Sequence, residues 1–108
     1  MALLSIQQVA ITGTTPTYGA VSASDTVVPD ERCFLIVKNG NASPDTATVV
    51  VPGSVYGQAR PDVAVSVPAT TGERWIGPLS GDLADPTTGL ITITHSVTAT
   101  VTCALVRV

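Results

Sequence analysis

The chain has 108 residues and a formal net charge of −3, with 12% of residues charged and 4% aromatic. That length suits one domain built around one core. The sparse, scattered charges leave no basic footprint for nucleic acid, and no apolar run approaches the roughly 18 residues of a membrane helix.

Val and Ala dominate the apolar residues, with a single Phe34 and a single Trp75. This mixture packs on pleated sheet better than on helix, so an all-β fold is expected. The opening residues Met1 to Ile6 lack a basic stretch and run into Gln7 and Gln8, which does not read as a signal peptide. Residues 5–12 alternate loosely as a first strand, and a turn at 13–16 closes them. Residues 18–21 form a weak strand, 22–25 are small and polar, and 26–28 form a brief strand stopped by Pro29, which belongs at an edge or corner.

The strongest segment is 32–38, where five apolar residues stand between Arg32 and Lys38. A strand covered on both faces has that pattern. Asn39-Gly40 then supplies a tight-turn signal, so 46–51 is expected to return as the hairpin partner. Residues 54–61 are irregular. In 62–67 the valines Val63, Val65 and Val67 share one face and should point inward. A turn over 68–72 leads to a short strand at 73–76, and the loop 79–89 is expected to expose its tip. Residues 90–96 and 100–106 read as a final hairpin. About eight short strands result, arranged as a small antiparallel β-sandwich of jelly-roll or immunoglobulin-like type over 1–108, with residues 1–10 able to act as an extended arm.

Chemistry is harder to find. A nucleophile needs a base beside it, and His95 is the one histidine. By parity it shares a face with Ile91 and Ile93 and reads as a partly buried strand residue without a recognisable orienting partner. Most acids sit beside Pro or Gly and read as turn formers. Asp82 and Asp85 lack the alternating ligands of a calcium loop. Cys33, Cys103 and His95 are too few for a structural zinc site. The two cysteines lie in apolar strand-like runs and read as free buried thiols. The chain therefore reads as non-enzymatic, with no cofactor or metal. Among the aromatics, Trp75 reads as core and Tyr56, in a Gly- and Pro-rich loop, as a contact residue.

Four segments carry a resemblance: Ile6-Gln7-Gln8-Val9 followed by Thr15-Pro16-Thr17-Tyr18; Phe34 through Gly40; Asp62 through Ala69 leading to Glu73-Arg74-Trp75-Ile76-Gly77-Pro78; and the closing alternation ending in Leu105-Val106-Arg107-Val108. Over nearly its whole length the chain resembles the small β-rich proteins encoded near the major capsid protein in tailed bacteriophages, especially those of actinobacteria. The resemblance implies a virion protein made in the host cytoplasm. It would be a decoration (cement) protein on the capsid exterior, with the major capsid protein and its own copies, as a homotrimer, for partners. Candidate interface residues are Ile6, Val9, Tyr18, Tyr56, Arg60, Trp75 and Leu83. A tail or head-completion protein is the alternative within the virion. A carbohydrate-binding sandwich using Tyr18, Tyr56 or Trp75 as a stacking platform is the alternative from another class.

Overall fold

The computed structural model describes residues 2–108; Met1 lies outside the described residues. The chain is almost entirely β-structure, built as two facing sheets. Sheet A takes β1 (Ala2–Leu3), β4 (Ser24–Val27), β11 (Ile91–His95), β6 (Asp45–Val49) and β9 (Val63–Val67), in that spatial order. Sheet B takes β10 (Gly72–Ile76), β5 (Cys33–Asn39), β12 (Val101–Arg107) and β2 (Ile6–Gln8), with β3 (Gly19–Ala20) also pairing with β12. A two-strand hairpin of β7 (Ser54–Val55) and β8 (Gln58–Ala59) stands apart from both. The body is a slab of about 43 × 35 × 19 Å.

Alternation along each strand decides the inner face. Leu35 and Val37 from β5, Val101, Cys103 and Leu105 from β12, Ile91 and Ile93 from β11, and Ala47 and Val49 from β6 close on one another between the sheets. No aromatic residue belongs to this cluster among the described residues. The valines of β9 follow the expected alternation, but the core runs out along the strand: Val67 is buried, Val65 half-buried and Val63 exposed.

The expected connections differ from those found. Residues 32–38 and 46–51 do not form a hairpin, because β5 pairs with β10 and β12 while β6 lies in the opposite sheet between β11 and β9. Asn39 explains why the turn signal fails. It is the last residue of β5, buried, and its amide donates to Ser43 O (3.0 Å) and Val67 O (3.4 Å) while its Oδ1 accepts from Asn41 N (2.8 Å). With its polar atoms spent on neighbouring backbone, Asn39 lets the chain arch from one sheet to the other. The final pair is likewise an arch, β11 in sheet A and β12 in sheet B.

Of the strands four residues or longer, only β6 and β9 are consecutive in the chain and paired in one sheet. Immunoglobulin sandwiches instead join several strand neighbours by hairpins within a sheet, so this chain does not have that connectivity.

Two further segments are tied to the body of the fold. Within the expected arm at 1–10, β1 runs parallel to β4 and β2 parallel to β12, and Leu4 and Ile6 pack on the core. The loop 79–89 exposes its tip at 86–89, as expected, while its root is anchored: Leu79 is buried and bridges to Asp30, and after a 3-10 turn at Gly81–Leu83 the half-buried Leu83 packs against the core.

Candidate functional site

The outer face of sheet B carries three of the chain's four aromatic residues. Register sets them in rows across β10, β5 and β12. One row is Trp75, Ile36 and Ala104, and the next toward the other end is Glu73, Lys38 and Thr102. Phe34 and Val106 form a third. Ile36, Ala104 and Val106 point away from the inter-sheet core yet are buried, because Phe34 and Tyr18 pack over them. The outer face thus has a small apolar floor with rings laid on it.

Trp75 is not the core residue its neighbours suggest. It stands 64% exposed, stacked on Phe34 with ring centroids 5.2 Å apart and planes 14° from parallel. Its Nε1 donates a long bond to Glu73 Oε2 (3.4 Å), and Glu73 Oε1 meets Lys38 Nζ at 3.7 Å. Lys38 also lies over the Tyr18 ring, 4.2 Å from its centroid. Indole, carboxylate, ammonium and phenol therefore fix one another in sequence.

Beside Trp75 the polar row floors a cleft of about 400 Å³, lined by Lys38, Glu73 and Thr102 and rimmed by Thr70, Gly72 and Thr100. The rim is tightly built. A Cβ on Gly72 would fall 1.8 Å from Pro68 O, so only glycine fits. Thr70 (φ 72°) and Thr100 (φ 57°) both hold the left-handed conformation that β-branched residues avoid.

His95 has the orienting partner that its sequence neighbourhood hides. Its Nδ1 donates to Asp45 Oδ2 at 2.8 Å, with both side chains closed to solvent. Asp45 Oδ1 also accepts from Val97 N (3.0 Å) and Ser96 Oγ (3.4 Å). The reading of acids as turn formers is thus wrong for Asp45, and also for Asp25, which is buried in β4 and accepts from Ser22 N (3.2 Å) and Ser22 Oγ. Strand parity with Ala47 and Val49 was the signal that put Asp45 inside. The pair ties β6 to β11 beneath the surface.

The cysteines are free and buried. Cys33 registers with Arg107 and Cys103 with Val37, a spacing of four residues on adjacent strands, roughly 13 Å along the sheet and beyond disulfide reach. Burial, helped by Asp30 near Cys33 and Asp25 near Cys103, pushes both thiols up to about 11.

The remaining candidates separate. Tyr18 and Trp75 share the outer face of sheet B. Tyr56 and Arg60 lie on the segment that carries the β7–β8 hairpin; both are exposed, Tyr56 completely, and Tyr56 holds φ 53°. Val9 is exposed just past β2, its N–H donating to Arg107 O (2.8 Å). Ile6 and Leu83 are half-buried against the core and offer little free surface. Arg107 Nε comes within 2.8 Å of Asp30 Oδ2, yet its N–H is not aimed at the oxygen, so this is a charge contact without a formed hydrogen bond.

No family model, curated protein or solved structure matches the chain.

Proposed function

We propose that the protein is a structural component of a phage virion, a decoration protein that binds the outer surface of the head through non-covalent contacts. The reading begins from the resemblance of its strand segments to small phage head proteins. The observation that carries it further is Tyr56. A fully exposed tyrosine held at positive φ, on a hairpin standing outside both sheets, is an unfavourable arrangement for a lone molecule. It suits a residue whose ring is buried by a partner, and tyrosine is among the residues that dominate interface energies.

The hairpin sits in the connection between β6 and β9, closed at its root by Val51 N donating to Asp62 Oδ1 (2.9 Å). It therefore emerges beside β9, the open edge of sheet A, where Val63 is exposed. An open edge offers unpaired backbone groups to a neighbouring strand. In this reading Tyr56, Arg60 and Val63 meet the major capsid protein. A homotrimer matching the three-fold positions of a lattice follows from the resemblance. Stabilisation is mass action: a protein that binds the assembled shell and not its separated subunits shifts the equilibrium toward the shell.

Expanded capsids lacking the protein, mixed with it and imaged by electron microscopy, test this. Ordered density on the outer lattice and a raised disruption temperature are expected, with Tyr56→Ala weakening binding at least ~30-fold, as loss of an interface hot spot does. Density at the neck or tail would shift the reading to the tail or head-completion role, and absence of binding to any part of the particle would end it.

A further inference from the structure

We infer that the outer face of sheet B is a saccharide-binding site, with Trp75 as the stacking platform and the adjoining Glu73–Lys38–Thr102 cleft as the hydroxyl-binding groove. This site is separate from the Tyr56 hairpin and does not depend on the head-decoration reading.

A pyranose ring has one face of C–H bonds, whose hydrogens carry slight positive charge, and a rim of hydroxyls. Its C–H face seeks the electron-rich face of an aromatic ring. Its hydroxyls seek fixed donors and acceptors within about 3 Å. Trp75 supplies the first. Phe34 occupies one side of the indole, and the 64% exposure of the residue leaves the other side open. The ring is already held by the Phe34 stack and by Glu73, so little rotamer freedom is lost on binding.

The polar row two residues along β10 supplies the second. Glu73 offers a carboxylate oriented by Trp75 and Lys38, Lys38 an ammonium, and Thr70, Thr100 and Thr102 hydroxyls around the same cleft. At about 400 Å³ the cleft lies within the usual range of small-ligand sites, roughly 300–1,000 Å³. One positive and one negative side chain, paired with each other, balance the charge in its lining. The site therefore suits a neutral sugar rather than an anionic one.

Backbone strain points to the same place. Among the described residues three non-glycine positions have positive φ, and two of them, Thr70 and Thr100, line this cleft. Strained backbone of this kind gathers at binding sites, where the surrounding structure holds it in place.

Trp75 is the one tryptophan of the chain, so intrinsic fluorescence reads the platform directly. The full chain is titrated with cellohexaose, maltohexaose, chitohexaose and mannohexaose, with amide NMR shifts followed in parallel. At least one of these neutral probes is expected to give a saturable blue shift, with a dissociation constant on the order of 1 mM and shifts centred on Glu73, Trp75 and Thr102. By NMR, Trp75→Ala abolishes binding, Trp75→Tyr retains part of it, and Tyr56→Ala leaves it unchanged. Three results would overturn the inference: no saturation with any of the four probes, binding that survives Trp75→Ala, or a blue shift that follows protein concentration without sugar, which would make the face a contact between copies.

Discussion

The two faces of sheet B use the same strands for opposite ends. The inner face of β5 presents Cys33, Leu35 and Val37, all closed against sheet A, and contains no ring. The outer face presents Phe34, Ile36 and Lys38, and there the protein builds its apolar floor from small side chains and lays aromatic rings on top. Aliphatic residues fill the space between two sheets at close packing. The rings sit where one side can remain in water. The difference shows that an apolar strand with both faces covered need not lie between two sheets, since one of its covers here is made of its own neighbours' rings.

Substitutions along adjacent positions sharpen this contrast. Leu35→Ala should show the largest effect, about 3 kcal/mol of lost stability from the cavity between the sheets, read as a fall in Tm of roughly 10–20 °C. Ile36→Ala, next along the strand but on the outer face, should cost about 2 kcal/mol, because its cover of rings can partly collapse onto the space. Trp75→Ala should cost no more than about 1 kcal/mol, the order of one aromatic stack at an exposed site. Should thermal unfolding put Trp75→Ala level with Leu35→Ala, the outer face would be a second core and not a ledge.

A pH-dependent effect concerns the thiols of the inner face. Cys33 and Cys103 stay protonated in the folded chain up to about pH 11, whereas unfolded they ionise near their ordinary 9.0. The unfolded state loses protons first as pH rises, so these groups leave stability untouched below pH 9 and lower it between 9 and 11. Urea midpoints of the wild type and a Cys33→Ala, Cys103→Ala double variant should draw together over that interval. A constant difference would show that the thiols are not desolvated.

The strands were largely legible in the sequence because alternation is a local property. β5, β11 and β12 follow from their apolar periodicity almost residue for residue. Their partners were not legible. The Asn39-Gly40 signal predicts a hairpin, and only the distant Val67 carbonyl and the Ser43 carbonyl that receive the Asn39 amide reveal an arch. Asp45 follows a proline and so reads as a turn residue, while the buried contact that defines it lies fifty positions away at His95. The exposure of Tyr56 was legible from the Gly and Pro around it. The exposure of Trp75 was not, since Arg74 and Ile76 beside it give no sign of which face would be left open, and the cleft needs the loops at 70–72 and 100 to converge from separate parts of the chain.

The N-terminal segment is stitched to both sheets in parallel, β1 along β4 and β2 along β12, and β12 is also the central partner of β5. During synthesis β5 is therefore made long before the strand that must lie beside it, and β2 waits longer still. Sheet B cannot be completed until β12 has left the ribosome, so folding should be slow, as expected for pairings so far apart in sequence. A nascent chain stalled before residue 101 would carry Leu35 and Val37 uncovered, which makes the interval before β12 emerges the time when this protein most needs a chaperone.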